Sequence, residues 1–239
     1  MKLLNPALYL FVVCCLIPNA KSQEYYDPTG ESVAINGART IRIYVEYFEV
    51  STIELAEIMS IPRRGNDDTK MRADLLTKAK AGKVSILESQ TLVTRSGERA
   101  TTESITEFIY PTEYEISDPI ENEKKNSPPT IVVPTAFESR NLGATLEVEP
   151  TLGEDGKTID ITFKPEICYH VGDTIWGKEA NVTYKMPTIY TLRVNTSCTL
   201  TNGKFHFTNA LTPKNDKGEA DPSKKILVFV KADILKVGL

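Results

Sequence analysis

The sequence predicts a mainly β protein with one or two short helices on its N-terminal side. Three observations carry this. Apolar and polar residues alternate with period two in successive stretches rich in Val, Ile, Thr, Tyr and Phe. Gly, Pro and Asn clusters separate those stretches. Helical periodicity is confined to residues between about 52 and 81. The pattern gives seven to nine strands. Alternation alone does not choose between a sandwich and a curled sheet.

The first strand is TIRIYVEYFEV, residues 40–50, with Ile41, Ile43, Val45 and Tyr47 on one face. Ser51 and Glu54 have the spacing of a capping box, in which two orphan amides are satisfied reciprocally. A short helix follows, and Pro62 stops it. Asp68 is the expected cap of a second helix over 69–81, with Gly82 in the left-handed terminal conformation. Residues 83–94 read as a strand, Ser96-Gly97 as a turn, and 98–110 as a returning strand. Pro111 should end that strand, because it cannot donate to a ladder. Residues 111–134 are then a long acidic loop. A hairpin spans 140–165 around the turn at 153–156. A second has arms at 188–200 and 204–210, with Thr201-Asn202-Gly203 between them. ILVFVKADIL, residues 226–235, reads as a central strand buried on both faces.

Residues 1–22 have the features of a secretory signal: Lys2, an apolar run from Leu3 to Ile17, and small residues at Ala20 and Ser22. Residues 23–38 read as an extended arm, and 39–239 as the β domain. The chain is therefore expected to be exported, to the outer membrane or the periplasm. Net charge is −4, and −6 without residues 1–22. That acidic balance argues against nucleic acid as a partner. Cys168 and Cys198 remain after cleavage; export permits a disulfide between them, and two buried free thiols are the alternative. Asn181 and Asn195 stand in glycosylation triplets.

Chemical sites are sparse. His170 and His206 are the only histidines, and His206 reads as a solvated strand residue. Cys168 and His170 alone are too few ligands for zinc. Asp67 and Asp68 are better explained by a helix start than by a metal. No phosphate loop, HExxH pattern or nucleophile elbow is present. No catalytic residue, cofactor or metal is expected. Phe108, Tyr110 and Tyr114 read as an apolar clamp where a strand gives way to a loop. With Trp176 and Tyr169 they also admit an interface or a glycan groove. Arg95 and Arg99 are expected in turn or interface contacts.

LVTRSGERATTESITEFIYPTEYE, residues 92–115, resembles the C-terminal domain of secretins, the family of type II and III secretion and type IV pilus machines. PTAFESRNLGATLEVEPTLGEDGKTIDITFKPE (134–166), MPTIYTLRVNTSCTLTNGKFHFTNAL (186–211) and KKILVFVKADIL (224–235) continue it in order. The chain looks like a short stand-alone verrucomicrobial outer-membrane member tied to a type IV pilus locus. The resemblance implies an immunoglobulin-like β-sandwich, type IV pilus or secretin-system partners, and homo-oligomerisation. Asn209-Ala210-Leu211 stands where the family commonly has Gly-Gly-Leu, and only about 17 residues separate the cleavage site from the first strand. The expectation is a non-enzymatic envelope accessory protein. The alternatives are an outer-membrane secretin pore subunit and a carbohydrate-binding module.

Overall fold

A computed structural model describes residues 39–62, 65–117, 131–176, 184–215 and 217–235. The expected signal, the N-terminal arm and Asn181 lie outside them. The described chain is mainly β, with two short helices and two antiparallel sheets. Its elements are β1 (Thr40–Ser51), α1 (Thr52–Ser60), α2 (Thr69–Lys80), β2 (Ser85–Arg95), β3 (Ala100–Ser117), β4 (Ile131–Leu152), β5 (Thr158–Trp176), β6 (Tyr184–Arg193), β7 (Thr196–Thr201), β8 (Phe205–Leu211) and β9 (Lys224–Leu235).

The first sheet has the order β2-β1-β9-β8. The second is the meander β3-β4-β5-β6, with β7 also on β5. Alternation explains how they meet. Ile41, Ile43, Val45 and Tyr47 of β1 and Ile226, Val228, Val230 and Ala232 of β9 face one way. Leu146, Val148, Ile159, Ile161, Phe163 and Leu200 of the second sheet meet them in one core. The other residues of β9 also count: Leu227 and Phe229 join Phe48, Val50 and Val84 on the outer face, where α2 lays Leu75 over them. The strand is thus buried on both faces, as its unbroken apolar run requires.

Ser51 accepts from the Glu54 amide at 3.0 Å and caps α1. The reciprocal half of the box is replaced, because the Glu54 carboxylate meets Lys78 of α2. Asp68 does not cap α2 with its side chain. Asp67 takes the Thr69 amide at 3.0 Å, and Asp68 Oδ2 accepts from Phe207 N at 2.8 Å. Gly82, at φ 70, ends α2: its amide bonds Ala79 O and that of Lys83 bonds Lys78 O, the Schellman arrangement.

The two turns have a different use from the one expected. Ser96-Gly97 joins β2 of the first sheet to β3 of the second, and Thr201-Asn202-Gly203 joins β7 of the second to β8 of the first. Neither closes a hairpin. Each is tied across the sandwich: Gly97 N bonds Pro150 O at 2.8 Å, and Gly203 N bonds Ala232 O at 2.8 Å. Alternation in the two arms is the same for a hairpin and for such a crossing. His206 shares in this correction. It does lie opposite Phe205 and Phe207, but that face is interior: the residue is 5% exposed and its Nε2 accepts from Thr201 N at 2.9 Å.

The segment 111–134 is not a loop throughout. β3 continues to Ser117 and β4 begins at Ile131; residues 118–130 lie outside the described ones. Pro111 is tolerated because β3 is an edge strand and needs donors on one side only, and the register shifts between Pro111 and Glu113.

Candidate functional site

The second sheet is longer than the first. Its core-facing residues end at Ala144 on β4 and Tyr169 on β5, and the β4–β5 ladder ends at Gly143 opposite Cys168. Gly143 has φ 128, and a Cβ there would lie 2.1 Å from Ser104 O. Only glycine lets β4 pass β3 this closely in this conformation. Beyond it two ribbons continue. One pairs Thr106–Ser117 with Ile131–Leu142, and the other pairs Tyr169–Trp176 with Tyr184–Tyr190.

Aromatic rings connect the ribbons. Phe108 and Tyr110 share a face of β3, with centroids 6.2 Å apart, and Phe108 stacks on His170 of β5 at 5.4 Å. Asp173 holds His170 Nε2 at 2.7 Å from the other side of a bulge. Further out, Tyr114 meets Tyr184 of β6 at 5.0 Å. Trp176, opposite Tyr184, is 55% exposed. It borders an open cavity of about 690 Å³ with Tyr114, Val132, Thr174 and Met186. Tyr114 therefore does not fold back over its own strand; the clamp is between strands. The opposite face of the first ribbon carries Ile105, Ile109 and Phe137, and Ile109 and Phe137 are about 60% exposed.

Charged residues line the other end of the same sheet. Arg99 pairs with Glu149 at 2.9 Å, Lys164 with Glu147 at 2.7 Å and Arg193 with Glu166 at 2.6 Å. Lys164 holds the Glu147 carboxyl below its ordinary range. Exposed pairs of this kind contribute little stability each. Arg95 pairs with Glu98 inside its own turn at 2.7 Å.

Cys168 and Cys198 are free thiols. Cys198 pairs with Ile161, seven residues along β5 from Cys168. At about 3.3 Å per residue that is roughly 23 Å, far beyond the Cα separation a disulfide spans. Export permits a bridge, with two free thiols as the alternative; the register sets the two residues too far apart for a bridge within this chain. Among the described residues no cluster of three or more His, Cys, Asp or Glu is placed to hold a metal. No described helix is long and apolar enough to cross a membrane, which says nothing of strands.

Sequence reasoning found Phe108, Tyr110, Tyr114 and Trp176 but missed His170 and Tyr184 as their partners. Those contacts depend on two ribbons parting at Gly143. The glycine stood within a clean alternation from Leu142 to Val148, which gave no sign of a divergence.

The family described as "Bacterial type II and III secretion system protein", the secretins, matches residues 77–207, more than half of the chain. The chain belongs to the secretin family. No curated protein matches it. Among solved structures it is similar to the InvG secretin domain β-barrel of the Salmonella SPI-1 injectisome, at 12% identity and a TM-score of 0.43. That match covers 87% of this chain and 65% of InvG. It is similar to the V. cholerae type IV competence pilus secretin PilQ, at 14% identity and 0.44, covering 83% and 61%. It is also similar to the type II secretin GspD of enteropathogenic Escherichia coli, at 12% and 0.44, covering 84% and 71%. The chain thus spans about two thirds of the length of these three.

Proposed function

We propose that this chain is a non-enzymatic subunit of a secretin ring in the outer membrane, where its two ribbons contribute strands to a barrel wall. The observation that carries this is the run of paired strands beyond Gly143, away from the core. β3 and β4 each continue for about a dozen residues there, and a membrane-crossing strand needs about 9–11. Exposed Ile105, Ile109 and Phe137 on one face support contact with an apolar medium. The tyrosines and Trp176 at the far end suit a boundary between lipid and water.

The accessory reading rested partly on the missing glycines at Asn209-Ala210. Regular pairing is interrupted there without glycine. The β8–β9 register shifts between Phe207 and Asn209, and the Thr208 hydroxyl bonds Val228 O at 3.1 Å. Membership of the family supports a structural part in secretion or pilus assembly rather than catalysis. Separation of envelope fractions followed by alkaline extraction tests the choice. A ring subunit stays with the outer membrane, whereas a peripheral accessory protein washes off.

A further inference from the structure

We propose that the open cavity beside Trp176 is a sugar-binding site that takes one neutral pyranose ring of a glycan, stacked on the indole. One chain builds the site, so it does not depend on the ring reading above.

Period two assembles it. Thr174 and Trp176 share a face of β5, and Met186 and Tyr184 of β6 lie directly opposite them. Thr112 and Tyr114 of β3 line the cavity from the other ribbon. Its volume, about 690 Å³, is within the range of small-molecule sites. Lys185 pairs with Ile175 and falls on the reverse face. None of the described lining residues is charged.

That lining selects the ligand by its chemistry. A phosphate or carboxylate is held by charged donors, and the lining has none. An acyl chain would take the hydroxyls out of water without giving them partners. The Tyr114 and Tyr184 hydroxyls have no hydrogen-bond partner among the described residues. A quaternary ammonium needs several ring faces turned toward one point, as in an aromatic cage. Tyr114 and Tyr184 are turned toward each other instead, with centroids 5.0 Å apart and planes 32° apart. The indole keeps its open face: Trp176 is 55% exposed and meets no other ring among the described residues. A pyranose matches this surface. The C–H groups of its flat side cover the indole. Its rim of hydroxyls suits threonine and tyrosine hydroxyls, which both donate and accept.

Trp176 is the sole tryptophan, so tryptophan fluorescence of the full chain reports on this site alone. The chain is purified in a detergent whose headgroup carries no sugar and titrated with maltose, cellobiose and N,N′-diacetylchitobiose. At least one should give a saturable change with a millimolar Kd. Tyr184→Phe keeps the ring contact with Tyr114 and should weaken that binding about two- to tenfold. Trp176→Ala, at an exposed position, should abolish it in calorimetry. Lipopolysaccharide and the polysaccharide freed from its lipid separate two sources of the same sugar chemistry. Tighter binding of the lipid-linked form assigns the site to the membrane surface, and equal binding assigns it to a free glycan. No saturable change with any of the disaccharides overturns the site. So does a response to tetramethylammonium or a short-chain phosphatidylcholine in place of sugar, or unchanged sugar binding in folded Trp176→Ala. A parent chain that binds sugar yet is monomeric in detergent sinks the ring reading and leaves this site standing.

Discussion

Arg72 on α2 grips Glu46 on β1 with two hydrogen bonds, Nε to Oε2 at 2.7 Å and Nη2 to Oε1 at 2.6 Å. The Glu46 side chain is 2% exposed. Tyr44 donates to the same carboxylate at 2.6 Å, and the guanidinium lies 4.6 Å from the centre of the Phe205 ring. The helix layer is therefore fixed to the first sheet by a nearly buried ion pair. Removing one partner leaves the other charge without compensation. Arg72→Ala should destabilise the chain by about 3–5 kcal/mol, and the double variant Arg72→Met/Glu46→Leu by much less. Urea unfolding of the three chains measures both.

Gly143→Ala should cost at least about 1–3 kcal/mol, since it forces a side chain into a left-handed conformation and onto Ser104 O. The damage should be local. Hydrogen exchange at Ile105–Tyr110 and Phe137–Leu142 should quicken more than exchange at Ile41–Val45, which pairs elsewhere.

His206 makes stability depend on pH. Burial holds its folded value below the ordinary histidine range, against the opposing pull of Asp68 and Asp67. The unfolded chain, at about 6.5, then binds the proton more readily than the folded chain. The His206 contribution is complete above about pH 6.5 and is lost as pH falls through the lower folded value. His206→Gln keeps a side-chain acceptor without titrating. Denaturation midpoints at about pH 7.5 and 5.5 should fall with pH more steeply for the parent than for this variant.

Cys168 and Cys198 should both alkylate in unfolded protein without prior reduction. Peptide mass mapping after labelling checks this. Two modified peptides are expected, and a peptide pair joined through these residues would contradict the register of β5, β6 and β7.

What the sequence made legible was local. The faces of β1, the two-sided burial of β9, the Ser51 cap and the Gly82 terminus follow from spacing and residue type within a few positions. What it hid was pairing. Ser96-Gly97 and Asn202-Gly203 carry hairpin signals, yet both pass between sheets, because turn chemistry specifies a reversal and not the strand's neighbour. Pro111 signals a stop because a proline blocks a central strand, and only the sheet order makes β3 an edge. The aromatic cluster was half visible: Phe108 and Tyr110 follow alternation, whereas His170 and Tyr184 join them only through the divergence at Gly143.

The mass of the detergent-extracted chain, by light scattering on material from the native envelope, tests the central claim most directly. The account predicts a stable assembly of many copies. A monodisperse monomer in the same detergent would contradict it, and the ribbons beyond Gly143 would then need another partner than a second copy of this chain.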